Sequence, residues 1–198
     1  MLAPGLTAQH NKEHAQKLVN IKKVIPTIAL DIRYATSNNF TKHILYSTSS
    51  CYVLQKTATQ LACAQAELAK EGLGLKIFDG FRPLATQHRM WDLIHDERYV
   101  SNPSKGGGRH TRGTTVDVTL VDQHGNELPM GTPFDDFSEK AWHACADLPQ
   151  EVLNNRKKLC ALMEKHGFKP IKTEWWHYDL ADWDQHPVLD VDLELMPG

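Results

Sequence analysis

The sequence has little that would mark it for several common roles. Its four cysteines, Cys51, Cys63, Cys145 and Cys160, form no C-x-x-C pair, which argues against a thiolate metal site. Cys63 and Cys160 fall among apolar residues in helical patterns and read as small core hydrophobes. No charge of one sign dominates: 22 basic and 24 acidic residues leave a net charge of −2, with a pI near 6.6. Nothing in that balance attracts nucleic acid or an anionic membrane, so neither is expected as a partner. No apolar run approaches the length of a bilayer span. The opening stretch MLAPGLTAQHNKEHAQK lacks the basic and apolar regions of a signal peptide. A cytoplasmic protein is the simple expectation, and a mature periplasmic protein whose signal has been removed is the alternative.

What remains is ordinary for a globular chain, at 41% hydrophobic and 23% charged in 198 residues. That length suits a single domain spanning 1–198. Residues 1–20 read as a peripheral helix or arm, and 183–198 as a tail. IPTIALDIRYA (25–35) alternates Ile28, Leu30, Ile32 and Tyr34, a strand period. Residues 56–72 carry a helical stripe of Ala58, Leu61, Ala62, Gln65, Leu68 and Ala69. Strands are expected at 75–80, 114–122 and 174–180, and helices at 83–95 and 151–167. Between them lies a long loop, 96–113, and long loops in compact domains are often functional. The pattern points to an α+β fold, a small domain with a central, mainly antiparallel sheet flanked by helices.

Eleven histidines are the most unusual item of composition. His10, His14, His43, His95, His124 and His186 lie in polar segments and are given no chemistry. His110 is different. It follows three glycines in GGGRHTRGTTVDVTL (106–120), and Asp117 follows it inside a strand. A buried carboxylate without a partner is costly. Val116, Val118 and Leu120 share one face of that strand, which puts Asp117 and Thr119 on the other. In EWWHYDL, Trp175, His177 and Asp179 likewise share a face. His110, Asp117 and His177 thus make a His/Asp/His set suited to a catalytic zinc with an open position, and the cation would neutralise Asp117. Glu174, three residues before His177, reaches the same region only from the start of the strand or through a bulge. There it could act as an acid–base group. Arg82 in DGFRP offers an always-charged guanidinium for an oxyanion. Each fragment also has a bland counterpart. Asp117 could pair with an arginine, Arg82 with Asp79, and E-x-x-H recurs by chance, so spacing alone leaves both readings open.

The wording of the segments goes further. RHTRGTTVDVTL follows the S-x-H-x-x-G-x-x-x-D pattern of the LAS-type zinc peptidases except at its first residue, and EWWHY carries their E-x-W-H. LDIRYATSNNFT, DGFRP, PMGTPFD and GFKPIKTEWWHY resemble the D-alanyl-D-alanine dipeptidases of the VanX type, in the same order, over about residues 28–180. The resemblance implies one zinc per chain on His110, Asp117 and His177. It implies Glu174 as catalytic base, Arg82 as transition-state arginine, and Asp135 as the acid that holds the substrate's amino group. It further implies hydrolysis of the small dipeptide D-Ala-D-Ala to two D-alanines. Where the family's best-known members have hydroxyl residues before the first histidine, this chain has Gly108 and Arg109. Arg109 is therefore either a replacement clamp for the substrate carboxylate or a solvated loop residue. The rival activities are a D,D-carboxypeptidase or peptidoglycan endopeptidase, which need an open groove, and a catalytically silent zinc- or peptidoglycan-binding module. The loop at 96–109 and the segment 129–139 are expected to close the cleft. Oligomeric state is left open.

Overall fold

The structure, a computed structural model, describes residues 18–196, so the helix or arm expected at the extreme N-terminus lies outside the described residues except for its last three positions. Those three form strand β1 (Leu18–Asn20), followed by a single helical turn, α1 (Ile21–Val24), and by β2 (Ala29–Leu30). β3 (Tyr52–Leu54) runs directly into α2 (Gln55–Ala69), and β4 (Leu73–Asp79) precedes α3 (Leu84–Leu93). After the long loop come β5 (Thr115–Asp122), α4 (Gln150–Lys165), β6 (Phe168–Pro170) and β7 (His177–Leu180). Five strands make one sheet in the order β2-β4-β5-β7-β6, and β1 pairs with β3 separately. β2 runs parallel to β4, while the other three pairings are antiparallel. The α+β fold with a mainly antiparallel sheet is what forms.

β5 is the centre of this arrangement. Its Val116, Val118 and Leu120 are fully buried, and each such side chain removed from water stabilises by roughly 1.5–3 kcal/mol. Its polar alternates, Thr115, Asp117 and Thr119, are buried as well, so this face too is shielded from bulk water, and Asp117 lines a cavity. α2 buries Ala58, Leu61, Gln65 and Leu68 as its period predicts. Ala64 takes the place expected of Ala62 and Ala69, and Cys63, expected in the core, is exposed. Beyond Asp182, Leu189, Val191, Leu193 and Met196 join the main core. Among the described residues no helix is long and apolar enough to cross a membrane.

Two strand expectations need shortening. The alternation at 25–35 is real in burial, since Ile28, Ile32 and Tyr34 are all inside. Yet the ladder to β4 ends near Asp31, whose N–H donates to Ile77, and the chain then turns through Arg33–Ala35. The strand expected from 174 begins only at His177. Trp175 and Trp176 are both buried, so the two-residue alternation is broken there. β6 is a three-residue edge strand ending in Pro170, a position where proline's missing donor is tolerated.

Candidate active site

The register of the sheet builds a row of polar side chains. Asp117 on β5 lies opposite Asp79 of β4 on one side and opposite His177 of β7 on the other. The β4–β5 ladder shifts between Ile77 and Asp79, which re-aims Asp79 at the strand end. Two carboxylates facing across strands repel unless each has its own cation. Asp79 has Arg82: its Oδ2 accepts from Nε at 3.2 Å and from Nη2 at 2.7 Å. Its Oδ1 accepts from Tyr46 Oη at 2.6 Å and from the Gly80 N–H at 2.9 Å. Asp117 has the two histidines.

His110 arrives from the loop. Gly106, Gly107 and Gly108 all have positive φ, at 108°, 81° and 98°, a run that side chains with a Cβ would oppose. A tight turn at His110–Arg112 is closed by Gly113 at φ 69°. A Cβ on Gly113 would come within 2.8 Å of Leu18 and 3.3 Å of the Leu54 backbone. His110 Nδ1 donates to the Gly80 carbonyl at 2.9 Å, which can only accept. Its Nε2 is thereby turned to Asp117 Oδ2, 3.4 Å away. His177 is oriented in the same manner from the other side. Its Nε2 meets Asp179 Oδ1 at 3.1 Å, leaving Nδ1 3.1 Å from Asp117 Oδ1. One ligand atom from each of the three residues lies within 4.8 Å of the others.

This donor set fits a metal ion. Asp117 Oδ1 is buried and takes part in no hydrogen bond among the described residues, despite its closeness to His177. Two imidazole lone pairs and a carboxylate turned toward one point are what a cation satisfies. Gly80 and Asp179 supply the outer partners that fix ring orientation. The field of the site also favours positive charge. Burial opposes a charged His177, yet Asp117 and Asp179 outweigh it and push its pKa up to about 10. Burial likewise opposes the Asp117 carboxylate, but the two histidines hold its pKa well below the usual range.

The other expected residues gather around this centre. Glu174 sits just before β7, so no bulge is needed; its Oε2 is 3.6 Å from His177 Nδ1. Burial raises its pKa, and the neighbouring His177 only partly offsets this. Trp176, and not Trp175, lines the cavity beside His177; Trp175 instead donates to Thr132. Asp135 adopts a left-handed backbone at φ 62°, a conformation that aspartate takes more readily than most residues. Tyr34 Oη lies 3.2 and 3.3 Å from its two oxygens. Burial, reinforced by Asp117, raises its pKa well above the usual range. The Arg82 guanidinium rests over the Tyr34 ring at 5.1 Å. Burial disfavours its charge, and the Asp79 carboxylate more than restores it.

Arg109 borders the cavity, but its guanidinium is already engaged. Nη1 donates to Asp179 Oδ2 at 2.5 Å, and the group lies 4.3 Å from the Trp183 ring centre. It backs the carboxylate that orients His177. Sequence reasoning gave no role to Asp179, Tyr34 or Gln87. Asp179 alone had a visible signal, since it shares the strand face of His177.

Tyr34 and Gln87, with the ligand set, Glu174, Arg82 and Asp135, line a cavity of about 110 Å³, well below the roughly 300–1,000 Å³ of common small-molecule sites. Tyr99, from the long loop, lies tilted against Phe137 at 4.8 Å, and Phe137 meets Phe40 edge-on at 5.2 Å. Both segments expected to close the cleft contribute to its lining, and they touch through these rings.

Comparison with known proteins agrees with this picture. A family model described as D-ala-D-ala dipeptidase matches residues 14–192. The D-alanyl-D-alanine dipeptidase of Escherichia coli (strain K12) is 34% identical over 173 residues, covering 87% of this chain and 89% of its own. That of Enterococcus faecium is 31% identical over 182 residues, covering 82% and 90%. A solved vancomycin-resistance D,D-pentapeptidase of the VanY type, in complex with Zn(II), overlaps more loosely. Its TM-score is 0.44 at 14% identity, over 70% of this chain and 78% of that one. Since the family match spans the whole sheet and every residue of the His/Asp/His cluster, the chain belongs to the D-Ala-D-Ala dipeptidase family and is a metallopeptidase.

Proposed function

We propose that the protein hydrolyses the free dipeptide D-Ala-D-Ala to two D-alanines, with one zinc ion per chain held by His110, Asp117 and His177. The observation that carries this is the convergence of those three ligand atoms in a small cavity also lined by Glu174, Arg82 and Asp135. The ion would supply Lewis acidity, polarising the scissile carbonyl and making water more acidic. Glu174 takes the proton from the attacking water and returns it to the amine of the departing D-alanine. Its raised pKa brings it closer to the range in which both transfers are efficient. Arg82 meets the negative charge that develops on the carbonyl oxygen. It is held in advance by Asp79 and Gln87, so little reorganisation is needed. Asp135 receives the substrate's ammonium group, with Tyr34 steadying its carboxyl.

Tyr99 and Phe137, in contact where they line the cavity, leave little room for a longer peptide, which favours a dipeptidase over a D,D-carboxypeptidase or endopeptidase. Glu174 and Arg82 beside the ligand set argue against a silent binding module. The test is to assay the zinc-loaded protein on D-Ala-D-Ala and on a muramyl pentapeptide. Turnover of the dipeptide alone is expected. Comparable kcat/KM for release of the terminal D-alanine from the pentapeptide would overturn the assignment.

A further inference from the structure

Gln87 is buried in α3, only 2% exposed, and both ends of its amide are used. Oε1 accepts from Arg82 Nη1 at 2.9 Å, and Nε2 donates to the Ser101 carbonyl at 2.7 Å. The amide's orientation is unambiguous, because a guanidinium can only donate and a carbonyl can only accept. Ser101 belongs to the loop that covers the cavity, two residues beyond the Tyr99 ring that lies tilted against Phe137. Further along the same loop, the Cα of Gly108 lies so close that a Cβ there would meet the Gln87 amide carbon at 3.4 Å. One side chain thus touches the arginine on one side and the cover on the other. Arg82 has its Nε and Nη2 fixed by Asp79. Gln87 is the partner recorded for the remaining nitrogen.

We propose that Gln87 is a positioning residue that couples closure of the 96–109 segment to the orientation of Arg82. When the cover is seated, the Ser101 carbonyl holds the amide, and the amide holds Nη1. When the cover lifts, the amide loses that anchor and Arg82 loses its third constraint. The proposal rests on Arg82 serving the transition state, as argued above. It adds that the arginine is fully set only when the cavity is shut, which ties turnover to a substrate small enough to be enclosed.

Two substitutions separate the halves of the latch. Gln87→Met removes both contacts while keeping the volume. Gln87→Glu keeps an acceptor for Arg82 but cannot donate to Ser101. Full-length, zinc-loaded variants are compared for kcat and KM on D-Ala-D-Ala, for zinc content, for thermal unfolding, and for hydrogen exchange at the amides of 98–107. Gln87→Met should lower kcat by roughly ten- to a hundredfold, the scale of a hydrogen bond to a charged group, and exchange in the loop should rise. Gln87→Glu should raise loop exchange and also lower kcat, by less than Gln87→Met does, because the acceptor for Arg82 remains but its anchor on Ser101 is gone; parental kcat with raised loop exchange would refute the coupling. In an Arg82→Ala background, Gln87→Met should add no further loss of kcat. If Arg82→Ala lowers kcat but Gln87→Met does not, at parental zinc content, the latch is refuted while the role of Arg82 stands. If Arg82→Ala itself leaves kcat intact, the underlying reading fails first.

Discussion

Replacing Asp79 by asparagine alters one atom and should disturb the whole anchor of Arg82. The carboxylate is completely buried, and the guanidinium beside it is 12% exposed. Four donors converge on Asp79: Nε and Nη2 of Arg82 on one oxygen, and Tyr46 Oη and the Gly80 N–H on the other. Asparagine offers one acceptor and a pair of donors. If its oxygen faces Arg82, its amino group faces Gly80 N–H, a buried donor that cannot turn away. If it is flipped, the amino group faces the guanidinium. Either way a positive charge remains inside without its counter-ion, a change that costs about 3–5 kcal/mol. Total stability of a domain this size is roughly 5–15 kcal/mol, so the loss should be plain in urea unfolding. The measurement is made at fixed zinc, because a bound ion adds its own stabilisation. The midpoint should fall with the slope m unchanged. The double variant Asp79→Asn with Arg82→Met should lose less than the sum of the two single changes. An Asp79→Asn protein within about 1 kcal/mol of the parent would refute the reasoning, since it would mean that the pair contributes no more than an exposed one.

Three further predictions concern the centre. Chelation should abolish dipeptidase activity and zinc should restore it; full activity in metal-free protein would sink the mechanism. Glu174→Gln should keep its zinc and lose roughly 10²–10⁴-fold in turnover, the usual worth of a placed acid–base group. His177→Ala should lose both, and zinc content by mass spectrometry under native conditions separates the two. Arg109→Ala should weaken zinc retention, by less than the roughly tenfold to a hundredfold typical of removing a ligand's own outer partner, which here is Asp179. KM for D-Ala-D-Ala and for its C-terminal amide should move together. A rise in KM confined to the free acid would instead restore Arg109 as the carboxylate clamp.

The parts of this site that could be read from the sequence are those whose periodicity and chemistry coincide. Asp117 interrupts a strand of β-branched residues, and His177 lies on the same face as Asp179, so a two-residue period was enough to bring them toward one cleft. Glu174 was legible only as an alternative, because whether it stands at the start of a strand or on a bulge depends on where two buried tryptophans end the pairing. The direction of Arg109 was not legible at all. It is set by Asp179 and by the Trp183 ring, seventy and more residues away. Gln87 gave no signal, since its value lies in a contact to a loop carbonyl that no residue pattern encodes. The shortening of the strand expected at 25–35 has a similar cause. Alternation reports burial faithfully, but hydrogen-bond pairing ends where the neighbouring strand does.

The row of side chains across β4, β5 and β7 has a consequence for how the molecule assembles. His110 and Asp117 are seven residues apart, but His177 is sixty further on (177 − 117). An unfolded chain offers the ion only the first two, and the third arrives when β7 docks against β5. Such distant pairing is slow to form, because the loop must be closed before any contact rewards it. Metal affinity therefore appears with the last strand, and the free energy of binding becomes free energy of folding. On the proposed ligand set, a bound ion would act as a clasp on the far half of the sheet, and scarcity of zinc would then lower the lifetime of the fold as well as the rate of the reaction.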